Sequence, residues 1–176
     1  MSFRAFALSL MALPLAADDL HFGIQGQAVK PSTGTLRAEV GNKSGTAYGL
    51  HLDWNPDGGS VIRFRIDALK FPERVGTPVT RKLQLEGRGV GADYLWYWRG
   101  RPEGGYFTLG AALTEWQFKD SAAPKTEKKQ LLNGSVGCGT QFSRFMGVEL
   151  RYTQSNLDTE TRFRPSFFSA QVLLHF

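Results

Sequence analysis

His51-Leu52-Asp53 places an imidazole and a carboxylate two positions apart. In an extended strand alternate residues share a face, so these two side chains point the same way. A carboxylate beside an imidazole is the arrangement of a general base and its orienter, which in acyl transfer would activate a nucleophile. The other histidines are His21 and His175. None of the three has a serine at the short spacing such chemistry uses. The plainer reading of His51 and Asp53, as two members of an internal hydrogen-bond network, is preferred. The one thiol, Cys138, allows no internal disulfide and reads as a small packing residue. The glycine patterns "GRGVG" and "GCGT" fall in strand-like stretches, not ahead of helices, so they are not phosphate loops. No metal or cofactor is expected.

The elements that hold these residues are strands. Glycine is high, at 20 of 176 residues, and aromatics reach 12%. That pairing suits β-structure with many turns. Mean hydropathy is −0.26, which excludes a bundle of transmembrane helices. Residues 1–17, "MSFRAFALSLMALPLAA", read as a secretory signal peptide: Arg4, an apolar run, then small residues before Asp18 and Asp19. Residues 18–176 form one domain. Without Arg4 the remainder carries 20 basic and 16 acidic residues, a balance that with no basic helix does not suggest nucleic-acid binding.

Eight strands follow from the period-two pattern. They are "LHFGIQGQAV", "AYGLHLDW", "VIRFRIDA", "RKLQLEGRG" running into "VGADYLWYW", "YFTLGAALTEW", "LNGSVGCGTQF", "MGVELRYTQ" and "SFFSAQVLLHF". In the fourth, Leu83 and Leu85 are taken with the apolar face and Lys82, Glu86 and Arg88 with the polar one. The pattern slips between Gly87 and Gly91, which predicts a bulge or glycine kink. Gly34 to Gly41 is the one stretch suited to a turn or two of helix. Connections alternate long and short.

An apolar face turned inward would give a soluble lipocalin-like barrel. Turned outward, it gives a lipid-facing belt around a polar bore. Glycine recurs on the polar face at Gly23, Gly49, Gly110, Gly137 and Gly139, as a narrow eight-stranded bore requires. "YLWYW" sits beside a turn, where an interfacial aromatic girdle belongs. The second orientation is therefore expected: an all-β, eight-stranded antiparallel up-and-down transmembrane barrel. Its lumenal charges are Asp53, Arg63, Arg65, Asp67, Lys82, Glu86, Arg88, Glu149 and Arg151. Confined there, they must pair. Arg63 or Arg65 is expected to meet Glu86, and Arg151 a neighbouring carboxylate.

The last strand carries Phe168, Ala170, Val172, Leu174 and Phe176 on one face and ends on the aromatic. This resembles the C-terminal signature of bacterial outer-membrane β-barrel proteins, which their assembly machinery recognises. The first loop, "VKPSTGTLRAEVG", is similar to the Pro-Ser/Thr-Gly loop common in small OmpA-like and OmpW-like barrels. No stretch reads as the peptidoglycan-binding domain of OmpA-type proteins. The resemblance implies the outer membrane, contact with its lipids and lipopolysaccharide, help from the β-barrel assembly machinery, and a monomer. It carries no catalytic residues. The expected role is structural or surface interaction with a plugged lumen. The alternatives are a lipid A- or phospholipid-modifying enzyme, a narrow solute or hydrophobic-ligand passage, and a soluble periplasmic binding barrel. The lysines Lys119, Lys125, Lys128 and Lys129 form a basic stretch able to touch phosphates.

Overall fold

The computed structural model describes residues 20–32, 35–56, 58–75, 82–121, 126–155 and 164–176. The expected signal peptide lies outside the described residues. The elements are β1 (Leu20–Pro31), α1 (Thr35–Val40), β2 (Gly45–Trp54), β3 (Ser60–Lys70), β4 (Arg74–Val75), β5 (Lys82–Tyr97), β6 (Gly104–Asp120), β7 (Glu127–Ser143), β8 (Met146–Ser155) and β9 (Ser166–His175). β4 is a two-residue strand beside the start of β5. The other eight strands form a closed antiparallel ring in chain order, because β3 pairs with β5 and β9 pairs back onto β1. The closing register runs from Gly23 opposite His175 to Pro31 opposite Phe167. The Phe176 N–H then donates to the Phe22 carbonyl at 2.7 Å. Among the described residues no helix is long and apolar enough to cross a membrane; the strands do it.

Alternation sets the two faces. Outward positions carry exposed apolar side chains, such as Leu50 (61%), Leu109 (65%) and Leu150 (62%). Gln25, His51, Arg63, Asn133, Glu149 and Gln171 point inward and are buried. This is the inverse of a soluble barrel, so the lipocalin-like alternative fails. The outward apolar run of each strand stops at one level. Lys30, Thr46, Lys70, Arg88, Glu115, Gln130 and Gln154 mark its upper edge, on the side of the long connections. At the other edge Trp96, Trp98, Phe107, Phe142, Phe145 and Phe176 stand exposed as an aromatic girdle. Phe168, Ala170, Val172, Leu174 and Phe176 all lie on the outer face of the closing strand.

β1, β2, β3, β8 and β9 have 10 to 12 residues, close to the span a tilted membrane strand needs, whereas β5, β6 and β7 have 16 or 17. The surplus rises past the belt. There the polarity reverses: Leu83, Leu85, Trp116, Phe118 and Leu131 point inward, and Lys82, Glu86 and Arg88 point out. The expected slip between Gly87 and Gly91 does not occur. Pairing of β5 with β3 and with β6 runs unbroken through those residues. The pattern changes phase because the outer surroundings change from lipid to water, not because the backbone does. The register shift that does occur lies between Gln141 and Ser143, beside the tight β7–β8 turn.

The inward apolar residues of this upper tier build a cap. Leu36 and Val40, one helical turn apart on α1, are buried with Val29, Phe71, Leu85, Trp116, Leu131 and Phe167. At the short-turn end a smaller cluster of Val61, Leu95, Tyr97 and Tyr106 closes the bore. The sequence reading of a wholly polar lumen is thus corrected: polar groups occupy its middle, between two apolar closures.

Leu50 is the central outward residue of β2. Leu50→Arg should lower unfolding stability in lipid vesicles by about 2–4 kcal/mol. A loss below about 1 kcal/mol in a denaturant titration would mean that this face does not meet the bilayer core.

Candidate functional site: the lumenal charge network

β2, β3, β5 and β8 deliver charged side chains to the bore at alternate positions. Asp53 lies directly opposite Arg63 in the β2–β3 register. The Arg63 guanidinium, fully buried, donates from Nε and Nη2 to the two Asp53 oxygens at 2.7 and 2.8 Å. Its Nη1 crosses the bore to Glu149 Oε2 on β8, at 3.3 Å. Glu149 also accepts the Tyr106 hydroxyl at 3.0 Å and Arg151 Nε at 2.7 Å. Arg151 Nη2 lies 2.9 Å from Asp93 Oδ2, back on the β5 wall. Asp93 in turn accepts Arg65 Nε at 2.8 Å, and Arg65 pairs with Asp67. Gln25 bonds Asp67 and Gln27 reaches it at 3.4 Å. At the other end His175 Nε2 stands 3.3 Å from Asp53. The result is one connected chain from His175 to Asp67 that twice crosses the lumen.

Glycines make this possible by leaving their side of the wall bare. A Cβ at Gly110 would overlap the Asp93 carboxylate, and one at Gly23 would overlap the His51 ring. Neither position has space for even an alanine without moving a buried polar group.

Of the residues expected in the lumen, Asp53, Arg63, Arg65, Asp67, Glu149 and Arg151 are brought together. Lys82, Glu86 and Arg88 are not; they lie on the outer face of β5 above the belt. Glu86 pairs with Lys119 at 2.6 Å and Lys82 with Glu73 at 3.6 Å, both exposed to water. The expected contact of Glu86 with Arg63 or Arg65 is therefore absent. Those arginines use Asp53, Glu149, Asp67 and Asp93 instead. Asp93 is the residue that sequence reasoning missed. Counting back by twos from the outward Tyr94, Trp96 and Trp98 would have placed it inward.

His51 and Asp53 share the lumenal face as expected, but no hydrogen bond joins them. Asp53 is held by Arg63 and His175, while neither His51 nitrogen has a hydrogen-bond partner among the described residues. Lys119, Lys128 and Lys129 pair with Glu86, Glu115 and Glu127, at 2.6, 3.2 and 3.2 Å. Lys125 lies outside the described residues. Cys138 is exposed on the outer face.

Asp93 serves two arginines at once. Asp93→Ala leaves both without that carboxylate in a closed interior and should cost about 3–5 kcal/mol. Asp93→Asn keeps the shape and isolates the charge. Equal unfolding midpoints for both variants and the parent would mean that water already solvates these arginines.

Several solved structures share this architecture. The N-terminal β-barrel domain of Pseudomonas aeruginosa OprF aligns with a TM-score of 0.60 at 11% identity, over 89% of this chain and 97% of that one. Neisserial surface protein A, NspA, aligns with a TM-score of 0.56 at 16% identity, over 89% and 97%. Ail, the attachment invasion locus protein of Yersinia pestis, solved with the heparin analogue sucrose octasulfate, aligns with a TM-score of 0.55 at 14% identity, over 90% and 97%. No model of a known family and no curated protein matches the sequence. The fold is that of a small eight-stranded transmembrane β-barrel.

Proposed function

We propose that this protein is a bacterial outer-membrane barrel with a structural or surface-interaction role, not a conduit and not a lipid-modifying enzyme. The observation that carries this reading is the blocked bore. Salt bridges fill its middle, and apolar side chains close both ends. A water-filled channel would leave these charges solvated and need no apolar cap. The enzyme alternative is disfavoured because His51, Asp53 and His175 all face the bore, away from lipid acyl chains. Of the barrels similar in fold, one is named a surface protein and another an attachment protein. A surface role is carried over from them as part of this proposal.

The partners follow from the outer face. Lys30, Lys70 and Arg88 are exposed at the upper edge of the apolar belt, where phosphate groups of lipopolysaccharide would lie. Phe168, Ala170, Val172, Leu174 and Phe176 line the outer face of the closing strand, the pattern that suggests recognition by the assembly machinery. An edge already paired on both sides needs no second copy, so the protein acts as a monomer.

Three measurements test this. Purified protein in planar bilayers should give no stable conductance; a steady porin-sized channel would overturn the proposal. Lipid A profiles from cells with and without the protein should be identical by mass spectrometry. Deleting Phe176 removes the closing hydrogen bond to Phe22 and the terminal aromatic. The truncated chain should reach the outer membrane at reduced level, and normal abundance there would refute the assembly role of this residue.

A further inference from the structure

With Lys82, Glu86 and Arg88 outside and Asp93 inside, the enclosed charges do not balance. Asp53, Asp67, Asp93 and Glu149 give four carboxylates; Arg63, Arg65 and Arg151 give three guanidiniums. Among the described residues the bore is one positive charge short. A buried charge left without compensation is costly, so one more cation in the bore would be stabilised there.

The groups able to hold it meet at one corner. His51, Asp53 and His175 are all buried, and one ligand atom from each lies within 4.8 Å of the others. His51 is 3% exposed, and both its ring nitrogens lack hydrogen-bond partners. Its ring meets His175 edge-on, with centroids 4.8 Å apart. A buried imidazole ordinarily fixes its tautomer by a hydrogen bond or spends a nitrogen on a metal.

We infer that His51, His175 and Asp53 form a binding site for a divalent transition metal ion of the zinc type. Two imidazoles and one carboxylate match the ligand set of a zinc centre with an open fourth position. Metal–ligand bonds of about 2.0–2.2 Å bring the ligand atoms to about 3.4 Å from one another, so the three side chains close by an ångström or so. Asp53 keeps its bonds to Arg63 while using a remaining lone pair for the metal. His175 is prepared by Gln141, whose amide nitrogen stands 3.0 Å from Nδ1 and whose Oε1 has no partner. Turning that amide over lets Oε1 accept an Nδ1–H, which frees Nε2 for the metal. Water in the fourth position loses a proton near pH 7 at such a centre. Metal dication, hydroxide, four carboxylates and three guanidiniums then sum to zero. Calcium and magnesium prefer all-oxygen shells and do not fit two imidazoles.

The test uses the untagged full-length barrel in detergent micelles, stripped with chelator and shown to be folded by heat-modifiable gel mobility. Zinc is titrated against a chromophoric competitor, and cobalt(II) is followed by visible absorption. One zinc per barrel is expected, with the intense cobalt bands of a four-coordinate site. His51→Gln and His175→Gln should each weaken zinc binding by about 100-fold, and Gln141→Ala by about tenfold. Cys138→Ser, on the exposed outer face, should change nothing. Should a lumenal variant fail to fold, the cobalt spectrum of the parent decides alone. Absence of stoichiometric uptake by the parent overturns the site, as does binding that survives His51→Gln in a folded barrel.

Discussion

Two ion pairs span the bore, Arg63 with Glu149 and Arg151 with Asp93, and the rest of the molecule is arranged around them. Taking charges out of water costs several kcal/mol each, and mutual attraction repays this only where geometry is good and remaining lone pairs are filled. Hence Glu149 takes three donors, and Asp93 is paired with two arginines. Hence also the bare glycine walls opposite the largest polar groups. The pairs join the β3–β5 wall to the β8 wall. They therefore oppose collapse and widening of the ring alike, and a single substitution among them is felt on both sides.

Closure of the bore by apolar groups follows from the same demand. If water entered freely, the Coulomb attraction between these pairs would fall several-fold. The upper cap recruits an element that the barrel itself does not need, α1, whose Leu36 and Val40 cover Trp116 and Phe71. Above the belt the walls of β5, β6 and β7 turn apolar inward to receive it. The barrel is thus inside-out within the membrane and ordinary above it. One unbroken strand, β5, carries both regimes.

That inversion decides what the sequence could disclose. The outward set Tyr48, Leu50, Leu52 and Trp54 against His51 and Asp53 was legible, since one environment governs the whole strand. The same holds for Phe64 and Ile66 against Arg63 and Arg65, and for the closing strand with Phe176. β5 was not legible by the same rule. Leu83 and Leu85 are apolar because they face a protein cap; Val90 and Tyr94 are apolar because they face lipid. Reading both as one face forced an imaginary slip at the glycines and put Lys82, Glu86 and Arg88 in the bore. It also hid Asp93 among aromatics. Backbone parity is the stronger constraint, and polarity along a strand longer than the belt has to be read against it. Gly34 to Gly41 was legible as a turn or two of helix, but nothing local states what a six-residue helix covers.

The two closures are unequal, and this gives the network a direction. Above, a broad cluster under α1 separates the charges from the long connections. Below, four residues do so, and one of them, Tyr106, already bonds the network through its hydroxyl. Tyr97 packs on it with ring centroids 5.1 Å apart. A tyrosine pair that is half wall and half hydrogen-bond partner opens at lower cost than a jigsaw of Trp, Phe and Leu, because its hydroxyls keep a partner when water arrives. His175 and Asp53 lie toward this lower side, close to the closing end of the ring. The short-turn closure is thus tied to the charge network through the Tyr106 hydroxyl, whereas the closure under α1 is built around Trp116, Phe71 and Phe167.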